Sequence, residues 1–270
     1  MSSPYAEVIG DPIAHSKSPK MHRFWLEKAG IDADYRACHV LPEDLASYVD
    51  QRRDDPNWRG CNVTLPHKIA VMDLVADPGN VRASIGAMNT LSRNEEGAVF
   101  GTNTDAGGFF TPIADVPLAG APVIVAGTGG AAHAVLFALS RVGVGPVTLL
   151  ARNPLKGAAL LARFGLKGEV RAMDAALPQA ALLVNTTSLG MVGKDAFVPD
   201  LSPLPEDAVV YDIVYTPLVT PLLAAAQDRE LATVDGLDML IGQGAIAFEI
   251  FFGKAPPRDL DEELREILLA

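Results

Sequence analysis

The chain has 270 residues, enough for one large domain or two smaller ones with real cores. Lys and Arg total 22 against 33 Asp and Glu, a net charge of −11 with the signs interspersed, and this disfavours nucleic acid, whose phosphates need a basic face. Hydrophobic residues make up 49% and charged ones 20%, the balance of a soluble globular protein. The opening "MSSPYAEVIGDP" lacks the basic and apolar regions of a signal peptide. The apolar runs are too short, and too often broken by Gly and Pro, to cross a bilayer, so no membrane is expected as a partner. Cys38 and Cys61 form no disulfide framework, and a reducing cytoplasm is the expected compartment. A small anionic substrate stays open, because a local pocket can oppose the global sign.

In chain order, "AEVIG" reads as a strand and "SPKMHRFWLEKAG" as a helix ending at Gly30. "YRACHV" is a strand, and "PEDLASYVDQRR" starts a helix with Pro in its first turn. "GCNVT" reads as a strand and "PHKIAVMDLVA" as a helix; "GAMNTLSR" and "GAVFGTN" read as a hairpin around "NEEG". A break follows near residues 105–120. Alternation then restarts with "PVIVAG", "AAHAVLFALSRVG", "VTLLAR" and "PLKGAALLARFG". "LLVNTT" and "AVVYDIV" are continuous apolar runs, which suit strands covered on both faces. The pattern predicts α/β architecture with largely parallel sheets in two domains. The long helix "LDMLIGQGAIAFEIFFG" and an acidic final helix are expected to pack back on the first block.

The segment "VIVAGTGGAA" is strand, glycine turn and helix, with Gly127, Gly129 and Ala132 on a G-x-G-x-x-G/A pattern. The first Gly permits the tight turn, the second lets backbone approach a pyrophosphate, and the small third residue lets helix and strand pack closely. The alternative is a tight turn that binds nothing. NAD sites usually place an acid at the end of the next strand. Here the strand runs into Ala151, Arg152 and Asn153, with Lys156 close behind. Two cations and no acid favour the 2′-phosphate of NADP, although the same residues also suit a solvated helix start.

In the first block, Ser16 and Ser18 are two apart, so an extended loop can aim both hydroxyls at one carboxylate; equally, Ser18 can cap the helix that follows. Asn62 and Thr64 alternate along a strand and share a face. Asn89 ends "GAMN" and Asp105 ends "GTNTD", where an N-cap is the plainer role. Lys68 sits at an expected helix start, where the backbone dipole favours acids rather than an ammonium group. These residues gather at the C-terminal ends of strands, the edge at which open α/β sheets bind ligands, and this places Lys68 near a carboxylate partner in Asp105. The five histidines show no metal-ligand spacing; His15 and His67 flank the motifs and suit local hydrogen bonds. The "SLGM" segment after "VNTT" reads as a loop beside the cofactor or as a structural turn.

The motifs "GDPIAHSKSP", "NVTLPHK", "GAMNTL", "GTNTD", "GTGGAA", "VNTTSLGM" and "DGLDMLIGQGAIAFE" resemble, in order and spacing, those of the shikimate dehydrogenase family. The resemblance spans the chain. It implies NADPH-dependent, reversible reduction of 3-dehydroshikimate to shikimate, in the biosynthesis of chorismate and the aromatic amino acids. It implies a substrate domain of residues 1–105 with 240–270, a Rossmann domain of residues 106–239 binding NADP(H), and a cleft between them. Lys68 and Asp105 match the family's catalytic pair. Ser16 and Ser18 match the serines on the substrate carboxylate, with Tyr215 assisting. Asn62, Thr64, Asn89 and Gln243 match residues around the ring hydroxyls and carbonyl. Gly127, Thr128, Gly129, Gly130 and Ala131 match the phosphate loop; Ala151, Arg152, Asn153 and Lys156 fall at the 2′-phosphate end. Ile213, Gly236 and Met239 fall near the nicotinamide. Three departures stand out: Ala151 for the usual Asn and Lys156 for the usual Arg, which loosen the expected phosphate grip, and Ala106 where Gly is frequent. A quinate/shikimate dehydrogenase that also uses NAD, and an NADP-binding sensor without catalysis, are the alternatives; the sequence admits a homodimer without specifying one.

Overall fold

A computed structural model describes residues 3–94 and 96–270. Glu95, in the expected "NEEG" turn, and the first two residues of the N-terminal segment lie outside the described residues. The chain forms two compact units, Met1–Gly108 with Leu240–Ala270, and Phe109–Met239.

The first unit holds β1 (Tyr5–Gly10), α1 (Ser18–Ala29), β2 (Asp34–His39), α2 (Leu45–Arg53), β3 (Trp58–Val63), α3 (Val81–Ser84), β4 (Thr90–Arg93) and β5 (Val99–Thr102). Their order in the sheet is β2-β1-β3-β4-β5. β1 runs parallel to both neighbours and is buried along its length, whereas β4 and β5 reverse direction as an antiparallel hairpin. α1 buries Met21, Phe24 and Trp25 and stops at Gly30, whose φ of 65° suits a glycine C-cap; the Gly30 N–H closes on the Glu27 and Leu26 carbonyls. The helix starts at Ser18 with Lys17 in the cap position and no side-chain cap, so the Ser18 hydroxyl is not the capping group. Beneath α2, the buried Glu7 carboxylate accepts from Arg52 at 2.9 and 3.1 Å and from the Tyr48 hydroxyl at 2.6 Å, as a charge removed from water requires.

The topology brings one end of every central strand to one edge. The parallel strands β1 and β3 finish there, joined by Thr64 N–H to Ile9 O (2.9 Å). Gly10 has no room for a side chain, since an added Cβ would lie 2.6 Å from Thr64 Cγ2. The antiparallel hairpin begins and ends at the same edge: Val63 N–H meets Asn89 O (2.7 Å) and Asn89 N–H meets Thr102 O (3.1 Å). The expected helix after β3 is instead a turn followed by a 3₁₀ helix, Ala70–Leu74. The Lys68 carbonyl accepts from Met88 N–H (2.8 Å), while Met72 N–H bonds Ile69 O in the tighter 3₁₀ pattern. The sheet edge thus takes the carbonyl that an α-helix would need, and Lys68 stands at no α-helical N-terminus.

α4 (Asp105–Phe110) carries the chain into the second unit: β6 (Val123–Ala126), α5 (Gly130–Val142), β7 (Val147–Leu150), α6 (Pro154–Arg163), β8 (Gly168–Arg171), β9 (Leu182–Asn185), β10 (Val209–Asp212), α7 (Pro221–Gln227) and β11 (Ala232–Val234). The six strands are all parallel, in the order β11-β10-β9-β6-β7-β8. This is the doubly wound dinucleotide-binding order, with its switch point beside β6. β8 and β11 were not expected; both are short and partly exposed. No helix bridges β9 and β10; Phe197, Leu201 and Leu204 of the connecting loop cover the apolar core in its place. α8 (Gly236–Phe252) then leads back, and its later turns, with α9 (Asp261–Leu269), pack within the first unit: Trp25 meets Phe248 edge-on at 5.6 Å, and Lys28 pairs with Glu263 at 2.8 Å.

Candidate active site

At the shared edge of the first sheet, the Lys68 ammonium lies 2.5 Å from Asp105 Oδ2, with side-chain exposures of 14% and 5%. Asp105 opens α4, but the side chain that accepts from the helix start is Asn103, whose Oδ1 takes Ala106 N–H (3.2 Å). The Asp105 carboxylate is therefore turned to Lys68 and to the Asn89 amide, which donates to Oδ1 at 2.9 Å. The carboxylate thus has an ammonium and an amide donor, the partners that a carboxylate removed from water requires. Asn89 Nδ2 also lies 3.3 Å from Gln243 Oε1, and Gln243 is held by donating to Leu240 O (2.9 Å). Asn62 joins through Thr90, at 3.2 Å. Lys68, Asp105, Asn62, Asn89 and Gln243 thus form one polar cluster built from β3, the start of β4, the segment after β5, and α8. Thr64 lies next to it in sequence at the end of β3, half-buried.

Ser16 lies on the loop from β1 to α1, and Ser18 is the first residue of α1. Ser16 Oγ accepts from Ser18 N–H at 3.3 Å, and Lys17, between them, donates to the Leu268 carbonyl of α9. Burial lowers the Lys17 ammonium pKa, with the Lys20 charge adding to it. His67 is buried, with Nε2 2.7 Å from Val40 O, a structural contact; His15 is exposed.

In the second unit, the loop from β6 to α5 has the steric signature of a phosphate site. Gly127 has φ 110°, and a Cβ there would come within 2.6 Å of Thr186 Oγ1, so only glycine fits. At Gly129 nothing lies within 4 Å of an added Cβ. No neighbouring protein atom requires a glycine there, and its bare backbone leaves the α5 N-terminus open to a phosphate. Thr128, Gly130 and Ala131 complete the loop, and Ala132 is fully buried against the sheet. Gly127 N–H bonds Leu150 O (2.9 Å), so Ala151 and the exposed Arg152 follow directly alongside. Asn153 caps α6 by accepting from Lys156 N–H (3.1 Å), and Lys156 is exposed. The residues present therefore fit a dinucleotide with an anionic 2′ group.

At the end of β10, Gly236 packs on Ile213 so closely that a Cβ would sit 2.4 Å from Ile213 O; Met239 is buried nearby in sequence. Tyr215 follows on the same segment, its phenol pKa raised by burial. The "SLGM" segment is a turn tied down by polar contacts. Asn185 Nδ2 donates to Leu189 O and to Asp212 Oδ1, both at 3.0 Å. Asp212 also accepts from Val214 N–H (3.0 Å) and the Thr220 hydroxyl (2.7 Å). Burial raises the Asp212 pKa, against these donors.

Sequence reading missed three polar residues of the first cluster, Tyr35, Thr90 and Thr104. Thr90 and Thr104 adjoin Asn89 and Asp105 in the quoted motifs; Tyr35, on a different strand, carries no local signal. Among the described residues no group of three or more His, Cys, Asp or Glu could hold a metal, and no helix is long and apolar enough to cross a membrane.

A doubly wound sheet with a glycine phosphate loop, joined to a second α/β unit bearing a buried lysine–carboxylate pair, defines a nicotinamide-dependent oxidoreductase. Family models agree: residues 8–91 match the shikimate dehydrogenase substrate binding domain, and residues 236–264 match the shikimate 5′-dehydrogenase C-terminal domain. The chain is 62% identical over 269 residues to the shikimate dehydrogenase (NADP(+)) of Sphingopyxis alaskensis, covering 100% of this chain and 98% of that one. Among solved structures, shikimate 5-dehydrogenase of Thermus thermophilus in complex with NADP(H) and shikimate is 36% identical, with TM-score 0.86 and coverage of 98% and 99%. Ligand-free 5-ketofructose reductase of a Gluconobacter strain is 31% identical, with TM-score 0.88 and coverage of 99% and 98%. The chain belongs to the shikimate dehydrogenase family.

Proposed function

We propose that this protein reduces 3-dehydroshikimate to shikimate with NADPH, reversibly, as a cytoplasmic step of chorismate and aromatic amino-acid biosynthesis. The observation that carries the reading is the Lys68–Asp105 pair at 2.5 Å within a polar cluster, in a chain so similar to NADP-dependent shikimate dehydrogenases. Residues 1–105 with 240–270 act as the substrate domain and residues 106–239 as the NADP domain. Ser16 and Ser18 donate to the substrate carboxylate, assisted by Tyr215. Asn62, Thr64, Asn89 and Gln243 hold the ring hydroxyls and carbonyl.

The chemistry that bound NADPH supplies is a hydride to the C3 carbonyl carbon. The residues that would hold it are Gly127 to Ala131, Ala151 to Asn153, Lys156, Ile213, Gly236 and Met239. Lys68 donates a proton to the oxygen of that carbonyl as negative charge develops there, and takes one back when shikimate is oxidised. Asp105 keeps Lys68 aimed and accepts from a substrate hydroxyl. The Asn89 amide holds Asp105 still, so little reorganisation is needed when charge moves. The acid-free end of β7, with Arg152 and Lys156, supports NADP over NAD.

Spectrophotometric assay of shikimate oxidation, first with NADP and then with NAD, tests this directly. Turnover with NADP and much weaker turnover with NAD are expected. Equal rates with both cofactors, or faster turnover of quinate, would move the protein to the quinate/shikimate class; no turnover of either would favour a binding protein.

A further inference from the structure

We propose that Tyr35 is a positioning residue for this reaction: it heads a chain of hydrogen bonds that orients the Asn62 amide and runs on through Thr90 and Asn89 to the Asp105 carboxylate. The inference rests on the reading of that cluster as the reactive site. Tyr35 lies on β2, the strand of the sheet farthest in pairing order from β4 and β5, and is fully buried. Its hydroxyl donates to Asn62 Oδ1 at 2.6 Å. The Asn62 Nδ2 then faces Thr90 Oγ1 at 3.2 Å and Asn89 O at 3.5 Å. The Thr90 hydroxyl lies 3.2 Å from Asn89 Oδ1, to which it donates, and 3.3 Å from the Thr104 hydroxyl, which can donate to it in turn. Asn89 Nδ2 faces Asp105 Oδ1 at 2.9 Å, and Asp105 Oδ2 takes Lys68.

Fixed partners set the direction at both ends of the chain. Asn89 Oδ1 also accepts from Thr104 N–H (2.7 Å), a backbone donor with no other orientation to offer, and the Asp105 carboxylate only accepts. The Asn89 amide therefore has one orientation. For Asn62, a flip would set its oxygen against the Asn89 carbonyl and its NH₂ against the Tyr35 hydroxyl. The flip is disfavoured because it brings two carbonyl oxygens together and leaves the buried Tyr35 proton without its acceptor; burial keeps the phenol protonated, with its pKa well above the ordinary value. Hydrogen bonds aligned head to tail strengthen one another in a low-dielectric interior. The effect reaches Asp105 from a residue that makes no contact with it.

The hydroxyl is separable from the ring. The ring stacks on His22 at 3.9 Å with an interplanar angle of 6°, and lies 6.4 Å from Phe251. Phenylalanine keeps those contacts and deletes only the donor, so Tyr35→Phe isolates the proposed role. Expected is a threefold to tenfold fall in kcat/KM for shikimate, about what one neutral hydrogen bond is worth. The loss should fall mostly on KM for shikimate, with KM for NADP unchanged and the melting temperature lowered only by the few degrees that one lost buried hydrogen bond brings. Thr90→Val cuts the same chain two links further on and should give the same phenotype. The double variant should be no worse than the worse single one, because a chain is broken once. Wild-type KM in Tyr35→Phe, a lowered melting temperature with normal KM, or multiplying losses in the double variant would each overturn the proposal. Lys68→Met measured alongside separates the two readings. If it loses kcat while Tyr35→Phe changes nothing, this inference alone fails; if it keeps wild-type turnover, the site assignment fails and this inference with it.

Discussion

Lys68 is the residue on which the proposed chemistry turns, and its setting makes the expected losses specific. Lys68→Met keeps most of the side-chain length and deletes the proton donor. Its kcat for shikimate oxidation should fall roughly 10²–10⁴-fold, the usual worth of a positioned proton transfer, while NADP still binds. Asp105→Asn should show a similar defect, because the remaining amide cannot hold the ammonium by charge. Since the two groups touch, the double variant should be little worse than either single one; steady-state kinetics on the three variants checks this, and full additivity would mean independent action. Both residues were legible in the sequence because each closes a motif at a strand end. Their setting was less so. The pattern "PHKIAVMDLVA" has helical spacing, yet Met88, twenty residues on, claims the Lys68 carbonyl. A long-range bond of that kind leaves no local trace. Tyr35 was illegible for the same reason: its partner, Asn62, lies 27 residues away.

At the scale of elements, the proposed function gives two segments separable binding tasks. The loop from β1 to α1 leaves Ser18 free of capping duty, so replacing Ser16 and Ser18 together by Ala should raise KM for shikimate and leave KM for NADP alone. A drop in melting temperature with normal KM would instead give the serines a structural role. The segment from β7 to α6 offers Arg152 exposed beside the glycine loop. Arg152→Ala should weaken NADP by about 1.5–3 kcal/mol, the worth of a hydrogen bond to a charged group, with little change for NAD; competitive titration of both cofactors checks it. An unchanged affinity for NADP would shift the preference to Lys156 or to backbone groups. Of the second unit, the apolar central strands and their glycine turn could be read directly, because continuous hydrophobic runs suit a sheet covered on both faces. "GEVR" and "ATV" could not: short, half-exposed edge strands need no apolar run. The loop between β9 and β10 carries Phe197, Leu201 and Leu204 at no regular period, so nothing in it announces that it covers the core.

For the molecule as a whole, acid stability should be governed in part by His22. It lies fully buried among Tyr35, Trp25 and Phe248, and burial depresses its pKa from 6.5 to about 3. The unfolded chain takes up this proton first, so the contribution is complete above pH 6.5 and is lost as pH falls towards 3. The slope is at most about 1.4 kcal/mol per pH unit for one group. The chain's two tryptophans, Trp25 and Trp58, are both buried in the first unit, so their fluorescence follows the unfolding of that unit. Urea midpoints read this way should decline on acidification, and the decline should be shallower in His22→Phe. An identical slope in the two proteins would assign the acid sensitivity elsewhere. The discontinuity of that unit also bears on synthesis. Gly244 packs so closely on Met21 that a Cβ would lie 2.2 Å from its Cε, yet the two residues leave the ribosome far apart in time. At about 5–20 residues per second, the nascent strands β1 to β5 wait roughly 7–26 s, while the entire second unit is translated, before α8 and α9 arrive to cover them. The second unit is continuous in sequence and can close first, so a nascent chain that has just extruded residue 240 would hold a finished doubly wound sheet and a first unit still exposing its apolar face.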